Sequence, residues 1–216
     1  MKNVILIAAP AAGKGTEAAR LKEKYNMPHI STGDLLRAAR TDGSERAKTI
    51  AEYQDKGALV PFDIVLELLK ERILKSDCDN GYILDGFPRD IKQAEAYDKI
   101  LEEINRDIGV VVVLDIDKEI AKSRISGRYS CPKCGKVYNI NTNLKPINEG
   151  LCDVCNIELT RRADDNPDTY EERYNSYLEK TEPLISYYDK KGIVYHVDAG
   201  VSSDETHKQV VKILGE

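Results

Sequence analysis

Residues 4–16, Val-Ile-Leu-Ile-Ala-Ala-Pro-Ala-Ala-Gly-Lys-Gly-Thr, constrain the fold of this chain more than any other stretch. The apolar run at 4–7 has the length of a buried strand. A loop of small residues follows, ending in Gly13, Lys14, Gly15 and Thr16, and a helical pattern then sets Ala18, Ala19 and Leu21 on one face. A strand, a small-residue loop carrying a lysine and a helix together make a polyphosphate cradle. Loop N–H groups point inward, the helix N-terminus adds positive potential, and the ammonium reaches the outer phosphates. Ala8 and Ala11 stand where the generic pattern has glycine, and the hydroxyl comes at Thr16, one residue later than usual. An alanine-rich strand-to-helix turn is the competing reading.

Further strand patterns lie at 29–31, 82–85, 110–114 and 193–197, and helical patterns lie at 64–74, 91–104, 118–125, 169–188 and 204–214. This alternation predicts an α/β fold, a parallel sheet covered on both faces, with ligands outside the carboxyl ends of the strands. Gly13-Lys14, Ser31-Thr32 and Asp85-Gly86 all follow strand ends and are expected to meet at one sheet edge, which strengthens the phosphate reading. The 216 residues, 41% hydrophobic and 32% charged, suit one globular domain with room for an insert. A net charge of −5 offers no overall basic face for nucleic acid, although a few converging Arg and Lys suffice for a small anion. No apolar run reaches the roughly 18 residues of a membrane span. Met1-Lys2-Asn3 leads straight into the first strand without a signal segment, so a cytoplasmic location is expected.

The stretch from about 129 to 160 breaks the pattern: it is rich in Cys, Asn, Gly, Pro and Lys and lacks helical periodicity. Cys131 and Cys134 form one C-x-x-C pair, Cys152 and Cys155 a second, with 17 residues between them. That spacing suits a four-thiolate zinc site, closed by its own ligands and therefore structural. A reducing compartment disfavours the alternative of dithiol redox pairs, whereas iron takes the same ligands. An insert so short and polar buries too little surface to order itself, and a metal supplies what is missing. Cys78 stands alone and is expected to be an inert thiol.

Taken together, residues 8–16, Ile-Ser-Thr-Gly-Asp-Leu-Leu-Arg at 30–37, Gly-Ala-Leu-Val-Pro at 57–61, Asp-Gly-Phe-Pro-Arg at 85–89 with Gln93, Arg-Ile-Ser-Gly-Arg at 124–128, and Arg-Ala-Asp-Asp at 162–165 followed by Arg173 occur in an order that resembles adenylate kinases of the long-lid, zinc-containing bacterial type. The resemblance spans nearly the whole chain. It implies a P-loop three-layer fold with a parallel five-stranded sheet. The core would comprise 1–30, 62–127 and 165–216, the helical NMP-binding subdomain 31–61, and the zinc-ribbon lid 128–164. It also implies a monomer that moves the γ-phosphoryl group of Mg-ATP onto AMP, giving two ADP.

The same resemblance distributes roles. Ala11, Ala12, Gly13, Gly15 and Thr16 would cradle the ATP phosphates. Lys14, Arg89, Arg128, Arg162 and Arg173 would supply catalytic positive charge. Arg124 would lie against the ATP adenine, with Val137 and Tyr138 along its edge, and Asp85 would hold Mg²⁺ through water. On the acceptor side Arg37 and Arg89 would grip the AMP phosphate, joined by Arg162 and Arg173. Thr32, Gln93, Gly86, Phe87, Pro88 and residues Ala58, Leu59 and Val60 would complete the AMP pocket. Asp164 and Asp165 are placed either beside ATP or as caps of the helix near Thr169. The attacking phosphate oxygen is already anionic, so no general base is needed, and His29, His196 and His207 are expected to be structural or surface residues. Phe62 follows Pro61 where an acidic residue is common, and no ATP contact is assigned around Gly200. If residue 11 adopts positive φ, its methyl costs about 1 kcal/mol. Gln93 with Thr32 favours AMP over UMP or CMP; a nucleotide-binding protein with impaired turnover and a nucleic-acid-binding zinc ribbon are the remaining readings, the last disfavoured by charge.

Overall fold

The structure is a computed structural model that describes residues 2–55, 60–161 and 165–215. Five strands, β1 (Val4–Ala8), β2 (His29–Ser31), β3 (Ile83–Asp85), β4 (Val110–Asp115) and β7 (Val194–Asp198), form one sheet in the order β2-β3-β1-β4-β7. Every pairing is parallel. β1 lies at the centre, Val4 in register with Ile83 on one side and Val110 on the other. Its unbroken apolar run reflects burial on both faces. Ile5 and Ile7 join a core with Leu84, Val111, Val113, Tyr97 and Leu184, while Val4, Leu6 and Ala8 join a second core with Val112, Leu114, Ala18, Leu21 and Val210. The period of two along a strand is what feeds both layers.

The second core is covered by α1 (Lys14–Tyr25) and α9 (Ser203–Ile213), the first by α4 (Phe62–Ile73), α5 (Ile91–Glu103) and α8 (Pro183–Asp189). Two helices that the strand and helix patterns did not resolve, α2 (Thr32–Ala39) and α3 (Glu45–Asp55), pack Ala39 and Ile50 against Leu68 of α4. On the other side α6 (Lys118–Ser126) and α7 (Pro167–Ser176) share a small cluster of Ala121, Ile125 and Tyr170. A parallel five-stranded sheet with these helical additions matches the P-loop nucleoside monophosphate kinase fold.

The single helical pattern at 169–188 is broken in the structure. α7 gives way to a π turn at Tyr177–Thr181, and α8 restarts at Pro183. Pro183 has no N–H to continue the ladder, and the Glu182 N–H donates to Tyr177 O at 2.9 Å, an i→i−5 bond. Between α6 and α7 the cysteine-rich insert forms an antiparallel pair, β5 (Arg128–Ser130) with β6 (Val137–Asn139), extended by isolated bridges from Ser130 to Thr160 and Leu151 to Glu158. Among the described residues no helix is long and apolar enough to cross a membrane.

Candidate active site

A cleft of about 1120 Å³ opens at the carboxyl ends of β1, β2 and β3. Its floor is the loop into α1. Gly13 (φ 107°) and Ala11 (φ 65°) both adopt left-handed backbone conformations. Ala11 therefore takes the conformation that glycine ordinarily supplies, and its side chain packs against the Ala121, Ile125 and Tyr170 cluster. The Lys14 ammonium donates to the Ala8 carbonyl at 3.1 Å. Burial pulls its pKa down; Asp85 opposes this, while Arg89 and Arg173 add to it. Those three groups thus stand close enough to Lys14 to act on it, although they come from β3, the loop after it and α7.

Asp85 ends β3 and accepts a hydrogen bond from His29 of the neighbouring strand at 3.3 Å. Burial pushes its carboxyl up, but the His29 bond and the Lys14 charge outweigh that and leave it below the usual carboxylate range. An ionised carboxylate in the same cleft as the α1 loop suits a hydrated divalent cation.

Arg37 of α2 and Arg89 both line the cleft. Arg37 is steadied by Asp34 at 2.5 Å, and Arg89 by a bond from its Nε to Gly86 O at 2.9 Å. The Arg89 N–H donates to Gln93 Oε1 at 2.9 Å, so the side-chain oxygen of Gln93 faces the main chain. Neither Gln93 nor Thr32 is among the residues that line the cleft. Thr32 is buried, its hydroxyl donating to Gly86 O at 3.3 Å. Phe87 and Pro88 do not wall the cleft. Phe87 is a core residue set edge-on against Tyr97, and Pro88 is buried beside it. Val60 packs into the α2–α3–α4 cluster. Ala58, Leu59, Arg162 and Asp164 lie outside the described residues.

On the opposite side Arg124 donates to three backbone carbonyls, Ala199 at 2.6 Å, Val201 at 2.9 Å and Gly200 at 3.4 Å. Its guanidinium plane is thereby fixed at the cleft wall. The stretch from Ala199 to Ser203, with Thr206, lines the same wall and received no role in the sequence reading. The available signal was its position after the end of β7, the rule already used for the other loops. Two further residues without a sequence-stated role, Asn139 and Asn141, tie the insert to α6: their side-chain amides donate to Arg124 O and Ser123 O, each at 2.7 Å.

Arg128 lines the cleft and pairs bidentately with Asp165, whose side chain is fully buried; the Nε–Oδ2 bond is 2.7 Å. This pair joins the first strand of the insert to the segment that leaves it. Asp165 does not cap α7, because Asn166 does, accepting from the Thr169 N–H at 2.9 Å. Val137 reaches the cleft, but the Tyr138 ring does not. The ring is buried in the insert, where its hydroxyl donates to Cys152 Sγ at 3.4 Å and accepts from the Asp153 N–H at 2.8 Å.

The thiols of Cys131, Cys134, Cys152 and Cys155 lie within 4.8 Å of one another, a cluster able to hold a metal ion. Cys134 and Cys152 are 3.7 Å apart, close to the roughly 3.8 Å edge of a tetrahedron with metal–sulfur bonds of about 2.3 Å. The N–H groups of Cys134 and Cys155 each donate to the first thiol of their own pair at 3.4 Å. Burial pushes the Cys152 thiol up, yet the bonds from Tyr138 and from backbone N–H groups draw it down to about 6.

This geometry agrees with what the chain is similar to. The family profile described as adenylate kinase matches residues 6–193. The adenylate kinase of Archaeoglobus fulgidus is 46% identical over 212 residues, covering 98% of this chain and 97% of its own length. That of Kosmotoga olearia is 44% identical over 212 residues, 98% of each chain, and that of Thermotoga neapolitana 43% over 216 residues, 100% of this chain and 98% of its own. A glycine-flanked lysine loop, arginines lining one cleft and similarity along nearly the full chain lead to one conclusion: this chain belongs to the adenylate kinase family.

Proposed function

We propose that the protein transfers the γ-phosphoryl group of Mg-ATP to AMP, giving two ADP, and acts as a cytoplasmic monomer. The observation that carries this reading is the convergence of Lys14, Arg89 and Arg173 at the cradle, with Arg124 on one wall and Arg37 on the other. The transferring group then lies between a donor side, formed by the α1 loop and Arg124, and an acceptor side, formed by Arg37 and Arg89. The acceptor phosphate is its own nucleophile, so the site has only to align the two nucleotides, concentrate positive charge and exclude water. Lys14 holds the outer phosphates of the donor, and Arg89 and Arg173 spread charge around the transferring group. Asp85 would hold a hydrated Mg²⁺ ion, which would supply positive charge to the donor phosphates. Residues 31–61 act as the acceptor-binding subdomain. Residues 128–164 act as a lid hinged at Arg128, bringing Arg128 and Arg162 to the phosphates. Cys131, Cys134, Cys152 and Cys155 would hold a zinc ion, which would supply the order that the lid's small core lacks, and a reduced cysteine set suits the cytoplasm.

Gln93 supports AMP as the acceptor. Its oxygen accepts from the Arg89 N–H with one of two lone pairs, so Gln93 keeps an amide donor for N1 of adenine and an acceptor for its exocyclic amine, a pair that guanine and uracil reverse and that cytosine presents on a smaller ring. The test is turnover of Mg-ATP with AMP, GMP, CMP or UMP, read as ADP formation. AMP is expected to lead by at least about a hundredfold in kcat/KM. Equal use of CMP or UMP overturns the AMP assignment, and no turnover with any acceptor overturns the phosphotransfer reading.

A further inference from the structure

Glu17 lies in the first turn of α1 and lines the cleft beside the α1 loop, yet only 3% of it is exposed. A carboxylate buried beside a site for a polyphosphate is costly on two counts, desolvation and like-charge repulsion. Its partner comes from the far end of the chain: His207 Nδ1 of α9 lies 2.9 Å from Glu17 Oε1. Burial pushes the Glu17 carboxyl up, and the His207 bond and the Arg20 charge pull against that. One turn further along α1, Arg20 donates to Ser203 O at 3.0 Å and to Asp204 Oδ1 at 2.5 Å. Helix α1 thus grips the N-terminal end of α9 at three points, Ser203 and Asp204 in its first turn and His207 just beyond.

That first turn continues the donor wall. Thr206 donates to Asp198 O at 3.0 Å and to Ser202 O at 3.2 Å, and the Gly200 N–H donates to Asp198 Oδ1 at 2.7 Å. The carbonyls of Ala199, Gly200 and Val201, which fix Arg124, are therefore hung from the same turn that α1 holds. Phosphate cradle and base wall are two halves of one donor site, and the Glu17–His207 contact is the buried link between them.

We propose that Glu17 and His207 are positioning residues for the donor nucleotide, fixing the spacing between the phosphate cradle and the wall formed by residues 199–203. The inference rests on the donor and acceptor assignment proposed above. Arg37, Arg89 and Gln93 belong to other elements, so the acceptor site is independent of this link. A plain helix–helix staple would instead affect stability alone.

The experiment measures KM for Mg-ATP and for AMP in His207→Ala, His207→Gln and Glu17→Gln, together with calorimetric binding of Mg-ATP in the absence of acceptor. His207→Ala leaves Glu17 buried without its partner, and its KM and Kd for Mg-ATP are expected to rise about five- to tenfold, with KM for AMP within about twofold. His207→Gln, which keeps a donor to Glu17, is expected to recover most of the loss. Adding Glu17→Gln to His207→Ala is expected to bring Mg-ATP binding back toward the parent, because the unpaired charge is gone. Equal shifts in both KM values, or a lower melting temperature with unchanged Mg-ATP binding, overturn the inference. The calorimetric arm keeps the two readings apart: parent protein that binds Mg-ATP but does not turn over AMP defeats the phosphotransfer reading and leaves the link testable.

Discussion

The central sheet and the cysteine-rich insert bury their residues on very different scales. In the sheet every residue of Val4–Ala8 is buried, and alternate side chains fill two separate cores. In the insert the buried cluster comprises Cys131, Tyr138, Cys152 and Leu159, while Ile147 is 85% and Val154 67% exposed. Two of those four buried residues are also metal-ligand candidates. Apolar burial suffices to order the sheet, whereas the insert is arranged around four thiols and one tyrosine hydroxyl. The contrast sets two ways of ordering a region side by side: packing in the sheet, and a cluster of thiols able to hold a metal in the insert.

The largest expected effect falls on the insert. A structural zinc contributes on the order of 10 kcal/mol to a small folded unit. Removing the metal with a chelator, or replacing Cys152 by Ser, is expected to abolish amide-exchange protection across 131–160 while the sheet keeps its protection. Exchange measured by mass spectrometry reads both regions at once. Persistent protection of the metal-free insert would show that apolar packing holds it after all, and the contrast would collapse.

Next comes Lys14→Met, expected to lower turnover on the order of a thousandfold by removing charge from the transferring group. Stability should move the other way. Burial holds the folded pKa of Lys14 below its unfolded value, so the charged ammonium opposes folding at neutral pH. That penalty is fully present below the folded pKa and disappears as pH rises through the unfolded value. Met carries no such penalty, so at neutral pH the variant should melt at the parent temperature or above it. A marked fall in melting temperature would mean that Lys14 supports the loop rather than serving a ligand.

A matched pair of truncations gives a smaller and more local comparison. Ile5→Ala opens a cavity in a fully buried position and is expected to cost about 3 kcal/mol in urea unfolding. Val154→Ala, at an exposed position in the insert, should change stability by less than about 0.5 kcal/mol. Similar costs at the two positions would contradict the difference in burial.

What the sequence made legible follows the same division. Strands at 4–7 and 110–114 announce themselves because a strand covered on both faces is apolar throughout, and the two C-x-x-C pairs do so because metal ligands need fixed spacing. The wall at 199–203 was legible only by its place after the strand end, since it holds Arg124 through main-chain carbonyls, which leave no side-chain signature. The direction of the Tyr138 ring was not legible: in a strand of three residues, Val137–Asn139, periodicity is too short to say which face is buried. Phe87 and Pro88 sit inside the Asp-Gly-Phe-Pro-Arg stretch yet are buried, because neighbours in sequence need not face the same way. His207 and Glu17 are 190 positions apart, so their pairing depends on the packing of α1 against α9. Helix periodicity carried 169–188 straight through Pro183, whose missing N–H was the better signal.

The smallest effect is expected at Ala11, where packing and backbone strain act on the same residue. Its left-handed φ of 65° costs about 1 kcal/mol relative to a residue free of that penalty. Against this, its methyl packs on the Ala121, Ile125 and Tyr170 cluster, worth up to about 0.8 kcal/mol for a buried carbon. Alanine also restricts the unfolded chain relative to glycine, by about 0.4–1 kcal/mol. Ala11→Gly removes the strain and gives up both compensations, so the net change should be below about 1 kcal/mol. Gly13 stays in place to turn the loop, and Lys14 keeps its bond to Ala8 O, so the cradle should hold its shape. Turnover and Mg-ATP affinity are therefore expected to remain within about twofold of the parent, since a misplacement of about 1 Å would instead cost on the order of a hundredfold. A glycine variant that is much faster would show that the methyl distorts the cradle. A much slower variant with weaker Mg-ATP binding would show that contact with the α6–α7 cluster is what sets the loop, extending the packing rule of the sheet into the phosphate site itself.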